Sequence, residues 1–217
     1  LERVPVIQKE IIRKARLFGK PAIIATQMLD SMIKEPVPTR AEVSDIANSI
    51  LDGTDALLVT GETAIGDYPE EVISVLSKVI EQTEKSISYN DKIIDNDKVV
   101  STARGISHAA CNMAKDLNLN IIVTMTQSGG TARMVSSYRP SANIYAMTTM
   151  IKTYRALSII WGVIPILVDK YSSSDEIPDL AKKKLQDMDI IMSDEKFIIT
   201  GGVPVNIPGT TNYISVL

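Results

Sequence analysis

The N-terminal part of the chain alternates between apolar patterns of helical and of strand length. Apolar residues recur at helical spacing over residues 4–18, and again after the capping-box sequence TRAE at residues 39–42. Two short apolar runs, residues 22–26 and 57–59, show no alternation, so we expect strands that are buried on both faces. Pro69 predicts the start of a further helix. This βαβα order predicts a parallel sheet or part of a (β/α) barrel, in which functional residues follow the carboxyl ends of the strands. The apolar positions of the first helix are Val4, Ile7, Ile11, Ala15 and Phe18.

A second α/β unit is predicted after residues 88–98, which are polar, rich in Asn and Asp, and typical of a linker. Apolar runs that begin at Ile121, Asn143 and Ile164 predict three buried strands, each followed by a helical stretch. The runs KFIITGG and NYISVL are joined by a loop alone, so we expect them to pair antiparallel. The apolar positions of the helix that precedes these strands are Val99, Ala103, Ile106, Ala110, Met113 and Leu117.

Composition narrows the class of protein. The 217 residues suffice for one large or two smaller domains, and 45% of them are hydrophobic. A net charge of -3 and 23% charged residues argue against a nucleic-acid partner. The apolar runs are strand-sized and the N-terminus lacks the pattern of a signal peptide, so we expect a cytoplasmic protein without a membrane partner. One cysteine and one histidine exclude an internal disulfide and a His-rich metal site.

Polar residues follow both predicted strands of the first unit. Thr26 ends one strand, and Thr60, Gly61 and Glu62 follow the other. Glu62 could bind a metal or act as a base, or it could hold a neighbouring loop by hydrogen bonds. A divalent cation in a phosphotransfer site often needs two carboxylates, and no second one follows a strand here. The sequence therefore favours the structural role for Glu62.

The sequence TQSGGTAR, residues 126–133, lies between a predicted strand and a predicted helix. Small hydroxyls and two glycines at a helix N-terminus suit an anion such as phosphate, because backbone N–H groups there are free to bind it. The same residues also suit a tight turn with a Ser or Thr cap, and the local pattern leaves both interpretations open. It is not a Walker loop, since no Gly-Lys-Ser/Thr follows. Arg133 lies inside the helix, where its side chain could point to solvent, so it is only a weak candidate to balance the charge of an anion.

Five motifs follow one another along the chain: ATQMLDSM at residues 25–32, PTRAEVSDIANSILDG at 38–53, GETAIGDYP at 61–69, SGGTARMVSSYRP at 128–140 and GTTN at 209–212. Together they resemble the C-terminal part of the pyruvate kinase family. The resemblance implies an α/β protein in which residues 1–90 form the last part of the family's (β/α)8 barrel. Residues 98–217 would form its regulatory and assembly domain, with three layers and a mostly parallel sheet that ends in an antiparallel strand pair.

The same resemblance implies an activity for the full-length enzyme. That enzyme would transfer the phosphoryl group of phosphoenolpyruvate to ADP, use Mg²⁺ and K⁺, and assemble as a homotetramer. The family's catalytic lysine and magnesium-binding carboxylates lie on earlier strands, so we expect these 217 residues alone to be inactive and to bind no cofactor. The alternative is a module that binds an effector or assembles subunits without catalysis.

Residue roles also follow from the resemblance. Thr26 corresponds to the threonine that faces the substrate, and the edge of the pocket is formed by Thr60, Gly61 and Glu62. Ile65 stands where many relatives have a basic residue near the nucleotide. The loop for an effector phosphate comprises Thr126, Ser128, Gly129, Gly130 and Thr131. Gln127 replaces a lysine of some relatives, and residues 203–207 contain no basic side chain. A monophosphate such as AMP or a sugar monophosphate, or no effector, is therefore favoured over a sugar bisphosphate.

Overall fold

A computed structural model describes residues 1–25, 27–87, 101–205, 207 and 209–217. The chain divides into two compact units, Leu1–Ser88 and Tyr89–Leu217, which we call the N-terminal and the C-terminal unit. The predicted linker at residues 88–98 and the predicted substrate-side Thr26 lie outside the described residues.

The described residues of the N-terminal unit contain two parallel strands and four helices, of which the sequence predicted all but the short helix Gly61–Ala64. Its capping box is confirmed, because the Thr39 side chain accepts from the Glu42 amide and Glu42 bonds back to the Thr39 amide. Gly53 ends this helix at a φ of 93°, the left-handed conformation that glycine adopts most easily. In chain order the elements are α1 (Val4–Leu17), β1 (Ile23–Ala25), a 3₁₀ turn (Asp30–Ile33), α2 (Arg40–Asp52), β2 (Ala56–Leu58), α3 (Gly61–Ala64) and α4 (Pro69–Ser86).

Only one face of the β1–β2 pair is covered within the described part of this unit. Ile24 and Leu57 are in register and pack on the core formed with α2 and α4. On the opposite face, Ile23 is 49% exposed and Leu58 is 47% exposed. The expectation that these strands are buried on both faces is therefore wrong, because side chains alternate and helices cover one side alone. The buried core residues are Met28, Leu29, Met32, Ile46, Ile50, Val72 and Leu76.

Helix α1 forms as predicted, but the predicted apolar stripe is not its buried face. Ile12 and Leu17 are buried, whereas Val4, Ile7 and Ile11 are exposed. The exposed residues line an open apolar cleft of about 540 Å³ between α1 and β1. None of the helices in the described residues is long and apolar enough to cross a bilayer.

The C-terminal unit has a five-stranded sheet in the order β5-β4-β3-β6-β7. All neighbours are parallel except β6 and β7, which are antiparallel as predicted. In chain order the elements are α5 (Thr102–Asp116), β3 (Ile121–Met125), α6 (Gly130–Ser137), β4 (Asn143–Thr148), α7 (Ile151–Leu157), β5 (Val163–Leu167), a 3₁₀ turn (Ser174–Glu176), α8 (Ile177–Asp187), β6 (Ile198–Gly202) and β7 (Thr211–Val216).

Helices cover both faces of this sheet, so the unit has the expected three layers. Side chains of β3 alternate between them: Val123 packs in the layer of α8, and Ile122 packs in the layer of α5, α6 and α7. Helix α5 turns Arg104, Ser107 and Ala110 into the protein. The buried face of α5 therefore differs from the predicted apolar face, because the polar residues Arg104 and Ser107 occupy buried positions.

Strand β5 lies at an edge of the sheet and is not buried as predicted. Ile164 and Leu167 are 42% and 43% exposed. The Ile144 amide donates to the Gly162 carbonyl and the Val168 amide to the Thr148 carbonyl, so even-numbered positions of β5 bond toward β4. Pro165 therefore stands at an outward position, where it removes a free N–H from the edge. This placement blocks pairing with another strand.

Candidate functional site

The buried Glu62 carboxylate joins the two strand tips of the N-terminal unit. It is 4% exposed, and its Oε1 and Oε2 accept from the backbone amides of Leu29 (3.2 Å) and Thr60 (2.8 Å). Burial alone would raise the pKa of this carboxyl, but amide donors from Glu62 itself, Thr60 and Leu29 outweigh it and lower the pKa. Through these two bonds Glu62 holds the loop after β1 against the end of β2, which is the kind of contact that the structural interpretation predicts.

A second carboxylate, Glu42, braces the same region. Besides capping α2, it accepts from the Ser31 amide at 2.8 Å and from the Ser31 hydroxyl at 2.6 Å. Burial would raise its pKa, but the donors of Ser31 and Thr39 outweigh this and lower it. The sequence predicted the capping box but gave no sign of the contact with Ser31, because that contact depends on tertiary packing.

Neither carboxylate fits the role of a metal ligand. Their oxygens face N–H and O–H donors, whereas a divalent cation needs several oxygen acceptors around it. The residues that the structure describes contain no group of three His, Cys, Asp or Glu side chains arranged to hold a metal. Thr60 and Ile65 lie exposed near this tip.

The loop at residues 126–131 of the C-terminal unit connects β3 to α6. The Thr126 hydroxyl accepts from the Gly129 amide at 2.9 Å, which closes the loop and leaves its own hydrogen available. Gly129 is the N-cap of α6, with a φ of 81°, and makes no side-chain cap bond. The first N–H groups of a helix have no intrahelical partner, so at this end of α6 they can donate to a ligand.

The hydroxyls of Thr131 and Thr211 are 2.7 Å apart and both residues are buried. This pair joins the start of α6 to β7. One hydroxyl hydrogen lies between the two oxygens, and the other remains to donate elsewhere. Thr211 belongs to the GTTN motif, so the pair brings together two motifs that are 80 residues apart in the sequence.

A pocket of about 130 Å³ opens beside the loop. Hydroxyl-bearing residues and glycines line it, and Met125, Met134, Tyr171 and Ile207 contribute apolar and aromatic surface. No charged side chain is among its described lining residues. The volume is several times that of a water molecule and below the range of pockets that enclose a drug-sized ligand. The polar lining residues are Thr126, Gln127, Ser128, Thr131, Thr210 and Thr211.

Arg133 folds back onto the loop and is half-buried. Its Nη1 donates to the Ser128 carbonyl at 3.1 Å. A Cβ atom built on Gly129 would lie 2.8 Å from this nitrogen and 3.0 Å from Leu157, so the guanidinium packs close over the glycine. Neither Arg133 nor Gly129 lines the pocket, and the arginine braces the loop from outside it.

Gln127 is anchored by α7 and the segment before it. Its carbonyl accepts from the Thr153 hydroxyl at 2.6 Å, and its Oε1 accepts from the Thr149 hydroxyl at 3.1 Å. Burial raises the pKa of Tyr171, and a hydrogen bond from the Gln127 side chain opposes that rise. Gln127 therefore stabilises both the loop and the part of the pocket lining that Tyr171 forms.

Asn212 fixes the segment between β6 and β7 by two hydrogen bonds, a role that was not predicted from the sequence. Its Oδ1 accepts from the Val203 amide at 2.8 Å, and its Nδ2 donates to the Val203 carbonyl at 2.7 Å. These bonds fix the two ends of the segment that brings Ile207 and Thr210 to the pocket. The GTTN motif was the available signal, but its partner could not be inferred from spacing.

Comparison with known proteins matches both units. The pyruvate kinase alpha/beta domain family matches residues 104–217, and the pyruvate kinase barrel domain family matches residues 1–73. Over the whole chain, pyruvate kinases of Clostridium acetobutylicum and Thermotoga maritima are 44% and 46% identical. The chain spans about 46% of the length of these two relatives.

Solved structures of pyruvate kinases also match the chain. A pyruvate kinase from Cryptosporidium parvum superposes on the whole chain with a TM-score of 0.87 at 34% identity, and the chain covers 43% of it. A pyruvate kinase of the same organism in complex with ADP gives a TM-score of 0.82 at 36% identity, with 44% covered. Because the alpha/beta domain family alone accounts for more than half of the residues and the barrel family for most of the N-terminal unit, the chain belongs to the pyruvate kinase family.

Proposed function

We propose that these residues are the C-terminal part of an enzyme that transfers the phosphoryl group of phosphoenolpyruvate to ADP, giving pyruvate and ATP. The observation that carries this proposal is the family match across both units, with about 46% of the relatives' length covered. Residues 1–90 would be the end of the catalytic barrel and residues 98–217 the regulatory and assembly domain. In the longer protein, Thr26, Thr60 and Gly61 would lie at the substrate pocket, with Glu62 holding its edge.

In that longer protein Mg²⁺ and K⁺ would balance phosphate charge during transfer. The described residues contain no group of three His, Cys, Asp or Glu side chains that could hold a metal, so the carboxylate ligands of Mg²⁺ would come from elsewhere in the enzyme. We also propose that the longer protein is a homo-oligomer, most simply a tetramer. Light scattering on the longer protein measures its mass, and a monomer at micromolar concentration would contradict the proposal.

The 217 residues alone are proposed to be inactive, because the described barrel portion contains one pair of strands. The test couples pyruvate formation to lactate dehydrogenase, with Mg²⁺ and K⁺ present. Both the longer protein and the 217-residue chain are prepared from a host without pyruvate kinases of its own. We expect turnover by the longer protein and none by the chain. Absence of turnover by the longer protein overturns the proposed activity, and ATP formation by the chain overturns its proposed inactivity.

The pocket of the C-terminal unit is proposed to bind the phosphate of a regulatory monophosphate, such as AMP or a sugar monophosphate. N–H groups at the start of α6, the hydroxyl of Ser128 and the free hydroxyl hydrogen of the Thr131–Thr211 pair would donate to the phosphate. The volume of about 130 Å³ suits one phosphate group with the rest of the ligand extending outward. Because no described lining side chain is cationic, we expect modest affinity that weakens as salt concentration rises.

Gly130→Asp tests this site with a matched control. A Cβ on Gly130 would have only the Ser128 hydroxyl within 4 Å, at 3.6 Å, so aspartate fits but places negative charge at the loop. Gly105→Asp adds the same side chain at an exposed position of α5 with nothing within 4 Å. Calorimetry with AMP, a sugar monophosphate and sulfate should show binding by the parent chain and by Gly105→Asp, but not by Gly130→Asp. Equal binding by all three proteins would show that the loop is a turn with no anion site.

A further inference from the structure

The start of helix α5 lies beside the pocket of the C-terminal unit. Ala103, the second residue of this helix, lines the pocket together with Met134 of α6. The next residue, Arg104, is buried, with 7% of its surface exposed. A guanidinium group stays protonated throughout the pH range in which proteins are folded, so α5 places a permanent positive charge inside the unit and close to the pocket.

Arg104 contacts a side chain that forms part of the pocket lining. Its Nη1 lies 3.9 Å from the sulfur of Met134, to which it donates a weak hydrogen bond. Met134 in turn lines the pocket, whereas Arg104 is not among the described lining residues. The guanidinium is therefore one side chain away from the pocket. A ligand oxygen in contact with the Met134 sulfur would lie within about 8 Å of Arg104 Nη1, since van der Waals contacts are about 4 Å long.

Tyr138, at the end of α6, holds the guanidinium in this position. Arg104 Cζ lies 5.6 Å from the centroid of the Tyr138 ring, within the range of a cation–π contact. The Tyr138 hydroxyl also donates to the Arg104 carbonyl, at 3.3 Å. Burial raises the pKa of Tyr138, and the positive charge of Arg104 opposes that rise. Packing against α6 thus fixes the charge beside the pocket.

We propose that Arg104 supplies the positive charge of the phosphate site across the Met134 side chain, and that the site therefore selects doubly charged phosphate monoesters over singly charged ligands of the same shape. This inference rests on the proposed binding of a phosphate at residues 126–131. Amides and hydroxyls of the pocket give the anion its hydrogen bonds, and Arg104 adds a full charge. Its attraction for an anion is proportional to the charge of that anion. Salt screens a buried charge less than an exposed one, so this contribution persists at physiological ionic strength.

Calorimetry at pH 8 with two ligands of the same shape tests the inference on the 217-residue chain. AMP is mostly a dianion at this pH, since the second pKa of a phosphate monoester is about 6, whereas adenosine 5′-sulfate carries a single negative charge. Arg104→Met removes the positive charge and keeps a long, unbranched side chain. We expect this variant to bind AMP roughly tenfold and the sulfate ester roughly threefold more weakly than the parent chain, because the loss follows the charge of the ligand.

Two further variants serve as controls. Arg104→Lys keeps the positive charge and should bind AMP within about threefold of the parent chain. Lys115→Met removes the same charge from an exposed position of α5, about 18 Å along the helix from Ala103, and should leave both affinities unchanged.

The outcomes separate this inference from the proposed function. Equal AMP affinity in Arg104→Met and Lys115→Met overturns the inference alone. An equal loss for both ligands in Arg104→Met also overturns it, because Arg104 would then only shape the pocket. If the parent chain binds neither ligand, the proposed phosphate site is wrong, and this inference falls with it.

A second measurement does not depend on how well the variants fold. A crystal structure of the parent chain with AMP should show the phosphate against Met134, with one of its oxygens within about 8 Å of Arg104 Nη1. A phosphate bound more than about 10 Å from that atom would overturn the inference, because salt screens the attraction between charges at such distances.

Discussion

Replacing Glu62 by glutamine tests whether one buried carboxylate holds the two strand tips of the N-terminal unit together. The two carboxylate oxygens accept from different loops, Oε1 from the Leu29 amide at 3.2 Å and Oε2 from the Thr60 amide at 2.8 Å. Glutamine has the same shape but a single acceptor oxygen, so its NH₂ group would face one of the two amides. The variant loses one charge-assisted bond and leaves a buried N–H without an acceptor. Since either effect is worth about 1.5–3 kcal/mol, we expect the N-terminal unit to lose about 2–3 kcal/mol.

Amide hydrogen exchange measured by NMR gives a direct readout of this loss. In Glu62→Gln the Leu29 and Thr60 amides should exchange faster, together with amides of α2 and α4. Glu81→Gln, on an exposed position of α4, changes the same charge without touching the loops and should leave these rates unchanged. Equal rates in the two variants would refute the assigned role of Glu62.

The pH dependence follows from the lowered pKa of Glu62. A depressed carboxyl pKa contributes stability above the unfolded-state pKa, and that stability is lost as pH falls through the folded-state pKa. Protection of the Leu29 and Thr60 amides should therefore fall on acidification in the parent chain and change less in Glu62→Gln. Glu42 also has a lowered pKa, so part of the acid sensitivity should persist in the variant.

Three further outcomes are expected. In the 217-residue chain, amides of residues 1–87 should exchange faster than those of residues 101–217, because β1, β2 and α1 expose apolar side chains; equal protection would contradict this. Pro165→Val should restore a free donor on the edge strand β5 and promote self-association, measured by light scattering, whereas an unchanged mass would show that the edge needs no protection. Burial raises the pKa of Cys111 to about 12, so a thiol reagent at pH 8 should modify it only when the C-terminal unit opens; rapid modification of the native chain would refute this.

Local signals in the sequence predicted local structure well. The capping box of α2 depends on neighbouring residues alone, so spacing was sufficient. The antiparallel pairing of β6 and β7 likewise follows from the short connection between two apolar runs. These features would form in nearly any tertiary context, which is why the pattern predicted them correctly.

Burial was harder to predict, because it depends on what covers an element. Continuous apolar runs predicted strands covered on both faces, yet Leu58 and Ile164 are exposed since nothing in their own unit covers them among the described residues. On α5 the buried positions include Arg104 and Ser107, polar types that periodicity assigns to the surface. The bond from Arg133 to the Ser128 carbonyl was not predicted, because the spacing of residue types does not show which way a long side chain folds.

The two sets of strand tips use their backbone groups in opposite ways. In the N-terminal unit, the amides of Leu29 and Thr60 are already bonded to Glu62, so they cannot serve an anion. In the C-terminal unit, side chains hold the loop carbonyls instead: Thr153 donates to Gln127 and Arg133 to Ser128. Carbonyls fixed in this way do not turn toward an incoming anion, and the first amides of α6 remain available. The physical difference favours anion binding at the second loop and a structural role at the first, although both follow parallel strands.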